Sequence, residues 1–169
     1  MRPALVLVGP PGAGKTSVGR QVAARSALGF RDTDEDVVAL AGKPISDLFV
    51  DEGEEHFRAL ERAAVEAALG EHDGVLSLGG GAVLAPQTRA LLRGHEVVLL
   101  DVDLASATAR IGLNRDRPVL ALNPRAMLRL LLEERVPLYR EVARHVVDTS
   151  RRPLEDVVEQ VLALLPTAR

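Results

Sequence analysis

Gly9-Pro10-Pro11-Gly12-Ala13-Gly14-Lys15-Thr16 follows directly on the apolar run Ala4-Leu5-Val6-Leu7-Val8. The octet fits G-x-x-x-x-G-K-[ST], in which glycines let backbone N–H groups curl around phosphate oxygens, the lysine reaches the outer phosphates and the hydroxyl ligates Mg²⁺. A chance match in a chain of this composition has a probability of about 10⁻³, before the strand-then-helix context is required. That context is met. The apolar run reads as a strand, and Val18, Val22, Ala23 and Leu28 give an apolar side to a helix predicted from Lys15 to Leu28. Such a helix points its N-terminus at the same anion. Of the 21 basic residues only Lys15 and Lys43 are lysines, and a compact ammonium follows phosphates where a guanidinium presents a wide planar fork. The plain alternative is a glycine-rich turn between strand and helix.

The 169 residues are 47% apolar and 27% charged, the balance of one globular domain spanning 1–169, and an aromatic share of 2% makes its core aliphatic. A net charge of −3 and a pI near 5.8 supply no global field for a polyanion, so nucleic acid is not an expected partner; a small anion in a local basic pocket is allowed. Cysteine is absent, which removes disulfides, thiolate metal sites and a cysteine nucleophile and fits a cytoplasmic setting. The run Ala4 to Val8 is too short for a signal peptide or a membrane span, and no later run reaches spanning length, so no membrane association is expected. The chain is expected to act as a monomer.

Along the chain, Phe30-Arg31-Asp32 reads as a short second strand and Asp32-Thr33-Asp34 closes it. Helical character resumes over Glu35 to Leu40, stops near Gly42 and Pro44, and restarts after Ser46 as N-cap; a longer helix runs from Glu54 to Leu69. Val75-Leu76-Ser77-Leu78 is a third strand that runs into Gly79-Gly80-Gly81, where the backbone can approach a ligand. Pro86 suits the first turn of a short helix. Val97 to Asp101 is a continuously apolar strand, as expected when helices cover both faces of a parallel sheet, and Asp103 is placed to cap the helix after it. Periodicity fails from Gly112 to Asn123, a loop in which mobility is expected, and Asn123-Pro124 restarts helix as cap and first residue. Leu128, Leu131, Leu132 and Arg135 share a side of that helix, which Pro137 is predicted to end. His145 to Asp148 is a fifth strand, and Leu154, Val157, Val158, Val161, Leu162 and Leu165 mark the last helix. Five strands alternating with helices argue for a parallel α/β sandwich whose motif-bearing strand ends meet at one edge.

Taken together, Gly9 to Thr16, Asp32-Thr33-Asp34, Phe57-Arg58 with Glu61, Gly79-Gly80-Gly81-Ala82, Arg117-Pro118, Arg135 with Pro137-Leu138-Tyr139, and Asp148-Thr149 with Arg151-Arg152-Pro153 resemble shikimate kinase over nearly the whole chain. The resemblance implies a three-layer P-loop kinase sandwich with a five-stranded parallel sheet in order 2-3-1-4-5, a substrate-binding region about 33–61 and a mobile lid about 112–124. It implies transfer of the γ-phosphate of ATP, with Mg²⁺, to the 3-hydroxyl of shikimate. Residue by residue, it implies that Gly12, Ala13, Gly14, Lys15, Thr16, Ser17, Arg110, Arg117, Arg152 and Pro153 hold ATP, and that Thr16 and Asp32 serve the metal. Asp34, Arg58, Gly79, Gly80, Gly81 and Arg135 hold shikimate, and Glu61 orients Arg58. Lys15, Asp34 and Arg117 are the residues it makes catalytic.

Several of these positions carry a second reading. Asp32 and Asp34, two apart, leave an extended backbone in the same direction, which suits a shared site; Asp34 is equally able to cap the following helix. Val-Val-Leu-Leu ending in Asp101 looks like a Walker B strand and makes Asp101 a rival metal acid. Arg58 is spaced for surface pairs with Glu54 or Glu61, the three glycines for a loose turn, and Arg117 for solvated surface. Arg135 is better supported from below, since a guanidinium at the end of an apolar face needs a buried anion or a route to water. The four histidines show no ligand spacing. Another small-molecule or nucleoside monophosphate kinase, or an ATP-binding switch without catalysis, are the rival functions; a binder has no need of Asp34 and Arg117.

Overall fold

The computed structural model describes residues 1–111 and 123–167. Five parallel strands, β1 (Leu5–Val8), β2 (Phe30–Asp32), β3 (Val75–Ser77), β4 (Val97–Asp101) and β5 (His145–Asp148), form one sheet in the order β2-β3-β1-β4-β5. Helices α1 (Lys15–Arg25), α2 (Thr33–Ala41), α3 (Ile45–Glu52), α4 (Glu54–Glu71), α5 (Pro86–Leu92), α6 (Leu104–Ile111), α7 (Pro124–Val142) and α8 (Leu154–Leu162) connect or flank them, with a 3₁₀ turn at Ala82–Leu84. This is the parallel sheet, in the strand order, that the resemblance implied.

The continuous apolar strands follow from burial on both faces of the sheet. Leu5 and Leu7 of β1 point into a core shared with Val18 and Val22 of α1 and Val157, Val158 and Val161 of α8. Val6 and Val8 point the other way, into a core shared with Val65 and Ala68 of α4, Leu92 of α5 and Tyr139 of α7. A smaller apolar cluster, Val37, Leu48, Phe57 and Ala64, ties α2 and α3 to α4. Residues 33–71 therefore carry packing of their own beside the sheet. The C-terminal ends of β1, β2 and β3 lie together in register, Leu7 beside Ser77 and Ser77 beside Asp32, which brings three of the sequence motifs to one edge.

Four local expectations are corrected. α1 stops at Arg25, because the Ser26 hydroxyl bonds back to Val22 O and Ala27 turns left-handed at φ 56°; Leu28 still packs on the core from the turn. Ser46 is not a cap: α3 begins at Ile45, after Pro44, whose carbonyl accepts from Leu48 N–H. α2 begins at Thr33 with Asp32 as its N-cap, so Asp34 lies inside its first turn. Pro137 does not end α7, which continues to Val142. Val136, Leu138, Tyr139 and Val142 all pack into the second core, and that burial outweighs the one backbone bond lost at Pro137, which sits on the exposed side where water can serve the Glu133 carbonyl.

Candidate active site

The phosphate motif folds as its residue types require. Gly12 and Gly14 take positive φ, 80° and 90°, a conformation L side chains resist. Gly14 caps α1 without any side-chain acceptor, and no acidic residue stands in the first turn, so the N–H groups there are directed to an external anion. Lys15 Nζ donates to Gly9 O at 2.7 Å and Pro10 O at 3.1 Å, which holds the ammonium against the loop. Ser17 follows Thr16 on the exposed side of the same turn.

Asp32 and Asp34 reach this loop from β2 and α2. The Thr16 hydroxyl donates to Asp32 Oδ2 at 3.3 Å, while Asp32 Oδ1 accepts Asp34 N–H at 2.9 Å. Extended geometry does not persist past Asp32, yet both acids line one cavity with Lys15, Thr16 and Gly80. Among the described residues no three His, Asp or Glu side chains gather to hold a metal by themselves. A hydroxyl beside one carboxylate suits Mg²⁺ that keeps phosphate oxygens and water as its other ligands, and Thr16 with Asp32 fits that donor set. Asp101 is placed elsewhere: its carboxylate accepts Val102 N–H at 3.0 Å and lies 3.5 Å from Arg140, and it does not line the cavity.

The far side of the site is built around Glu61, which is only 3% exposed. Arg58 Nη1 donates to Glu61 Oε1 at 2.8 Å. Burial pushes the Glu61 carboxyl above the usual range, Arg58 pulls it back, Asp34 adds to the rise and Arg135 lowers it, so all four charges share one neighbourhood. The glycines make this possible. A Cβ on Gly79 would strike Asp34 Oδ1, and one on Gly81 would lie 2.7 Å from Arg58 Cζ. Gly80 packs against Pro11 of the phosphate loop. Among the described residues, Arg58 Nε and Arg135 Nε are both buried without a hydrogen-bond partner, Arg58 Nε having only a longer ion pair with Glu54 at 3.5 Å, an arrangement that costs free energy unless an acceptor arrives.

On the other flank, Arg110 donates to Gly12 O at 2.9 Å and Thr149 O at 2.6 Å, bracing the phosphate loop against the β5–α8 connection. Arg110 and Arg152 line a second cavity with Gly14 and Ser17. Arg152 bonds Asp148 O and Gln160, and Pro153 is the N-cap of α8. Arg117 and almost all of the lid expected at 112–124 lie outside the described residues. The histidines fall apart from one another: His72 bonds Val75 O, and His56 and His145 lie nearest Glu52 and Glu96.

Two residues escaped assignment. Thr33, between the two acids and fully buried, accepts Gly79 N–H through Oγ1 at 3.2 Å. Tyr139, also fully buried, donates its hydroxyl to Gly80 O. A signal for the second existed in composition, since Tyr139 is the only tyrosine in the chain.

A protein-family model described as shikimate kinase matches residues 11–166. A shikimate kinase of Salinispora arenicola is 58% identical over 165 residues, 98% of this chain and 99% of the relative, and one of Streptomyces avermitilis is 55% identical over 96% of this chain and 95% of its own. Among solved structures, shikimate kinase from Acinetobacter baumannii in complex with shikimate superposes with a TM-score of 0.91 at 35% identity, over 97% of this chain and 92% of that one. With the phosphate loop, paired acids and arginine-lined glycine loop gathered at one sheet edge, the chain belongs to the shikimate kinase family.

Proposed function

We propose that this chain transfers the γ-phosphate of ATP to the 3-hydroxyl of shikimate, giving shikimate 3-phosphate and ADP. The observation that carries the acceptor is the pair of guanidiniums on Arg58 and Arg135, whose buried Nε atoms make no hydrogen bond among the described residues, beside a side-chain-free loop. A small hydroxylated carboxylate supplies the missing acceptor at one end and a hydroxyl for Asp34 at the other.

Phosphoryl transfer asks a protein chiefly for alignment and for charge stabilisation. Lys15 and the backbone N–H groups from Gly12 to Ser17 hold the phosphates. Thr16 and Asp32 would hold Mg²⁺, which neutralises phosphate charge when bound. Asp34 takes the hydrogen bond of the 3-hydroxyl and orients it, accepting its proton as the P–O bond forms. Arg58, Arg135 and the Gly79–Gly81 backbone hold the carboxylate, with Glu61 fixing the Arg58 fork. Arg110, Arg152 and Pro153 flank the nucleotide base, and Arg117 stabilises charge on the transferring group. In this reading 1–169 is one domain, 33–61 the substrate-binding region and 112–124 the lid of a cytoplasmic monomer. Its partners are ATP and shikimate, with neither nucleic acid nor membrane among them. The net charge of −3 and the lack, among the described residues, of any helix long and apolar enough to cross a membrane support that much.

Initial rates of ADP release from Mg-ATP with shikimate, gluconate, each nucleoside monophosphate or no acceptor test the assignment. Shikimate-dependent turnover is expected, falling about 10²- to 10⁴-fold in Asp34→Asn and losing saturability with shikimate in Arg135→Ala. Turnover with a different acceptor, or ATP binding without turnover on any, would overturn it.

A further inference from the structure

The glycine loop is held from both sides by hydroxyls that have no exposure to solvent. Thr33 Oγ1 accepts Gly79 N–H from the α2 side, and Tyr139 Oη donates to Gly80 O from the α7 side; both residues are 0% exposed. A buried hydroxyl is costly unless bonded, so each anchor is specified by its environment. Fixing the Gly80 carbonyl does more than satisfy it. In a trans peptide the C=O of one residue and the N–H of the next point in opposite directions. With Gly80 O drawn to the Tyr139 hydroxyl, the Gly81 N–H points the opposite way, away from that hydroxyl. Gly81 is also the residue whose absent side chain makes room for the Arg58 guanidinium. Arg135 lies one helical turn before Tyr139 on α7, so the same helix carries one arm of the arginine pair and the group that sets the backbone opposite the other.

We propose that Tyr139, with Thr33 as the opposing anchor, is a positioning residue for the acceptor. Its hydroxyl fixes the Gly80–Gly81 peptide plane so that the backbone donor and the Arg58 and Arg135 forks converge on a single carboxylate. The inference rests on the reading of this loop as the carboxylate end of the shikimate site. Thr33 Oγ1 and Tyr139 Oη bond the glycine loop, and neither residue lines the cavity beside Lys15 and Thr16, so their loss is expected to act on the acceptor more than on the nucleotide.

Steady-state kinetics on the full chain separates the possibilities. Tyr139→Phe keeps the ring that fills the core and removes only the donor. It is expected to raise KM for shikimate about 2- to 10-fold, the span of one hydrogen bond, with KM for Mg-ATP and kcat within about 2-fold, the signature of lost ground-state binding. Thr33→Val is expected to move the same parameter in the same direction, and Thr33→Ser, which keeps the hydroxyl, to restore it. If KM for shikimate is unchanged in both Tyr139→Phe and Thr33→Val, the proposal is overturned. It is also overturned if KM rises equally for both substrates alongside a parallel fall in Tm, because that is what a purely structural role produces. Wild-type protein without shikimate-dependent turnover would remove the functional reading and this inference together, whereas active wild type matched by both Tyr139→Phe and Thr33→Val would remove the inference alone.

Discussion

At Glu61 burial and pairing pull against each other. Its carboxyl is removed from water between Arg58 and the glycine loop, and desolvation lifts its pKa above the ordinary 4.5 more than Arg58 depresses it. Between 4.5 and that raised value the folded chain therefore binds a proton that the unfolded chain releases. Stability rises with pH only where the unfolded state holds more protons, so here the sign is reversed. Ionised Glu61 detracts from folding at neutral pH, and the deficit is relieved as the pH falls through the folded pKa. Glu61→Gln keeps an acceptor for Arg58 but cannot titrate. The difference in Tm, wild type minus Glu61→Gln, is expected to shift in favour of wild type between pH 7 and 4.5. A flat difference would show that pairing with Arg58 balances burial, and a shift towards the glutamine variant that it outweighs burial; either result overturns the expectation.

The glycine loop and α7 show what a linear chain conceals at the scale of elements. Strands β1 and β4 were legible because burial on both sheet faces leaves unbroken apolar runs, and α8 because one face alone is buried. The phosphate loop was legible because its chemistry demands those residue types in that order. The convergence of Asp32 and Asp34 was anticipated from a strand geometry that the chain abandons at Thr33, where α2 begins. Tyr139 stood in the motif without a role, because Pro137 just before it reads as a local break signal, which the second core overrides. Gly81 is the most direct test of the loop. Its Cβ would fall 2.6 Å from Arg58 Nη2, and the guanidinium has little freedom to retreat while it is bonded to Glu61. Gly81→Ala is expected to raise KM for shikimate at least about 10-fold, since displacement of a reacting geometry by about 1 Å can cost 10²-fold. KM for Mg-ATP should stay within about 2-fold. An equal effect on both substrates would place the damage in the fold instead.

At the scale of the whole molecule, the parallel sheet delivers two half-sites with separate supports to one edge. The phosphate loop and α1 rest on the core shared with α8, whereas Arg58 and Glu61 come from α4, packed through the second core and its satellite under α2 and α3. Each ligand should therefore stabilise the chain in its own right. A ligand at 100 times its Kd adds about 2.7 kcal/mol, and about 2–4 °C per kcal/mol for a chain of this size gives a rise in Tm of about 5–11 °C. Mg-ADP is expected to produce that rise in wild type and in Arg135→Ala alike, because Arg135 stands in the acceptor half, near Glu61. Shikimate is expected to produce it in wild type only. Thermal denaturation with each ligand alone and with both decides the matter. If Arg135→Ala loses the Mg-ADP shift as well, the two halves are one cooperative unit, and the assignment of separate supports to nucleotide and acceptor is wrong.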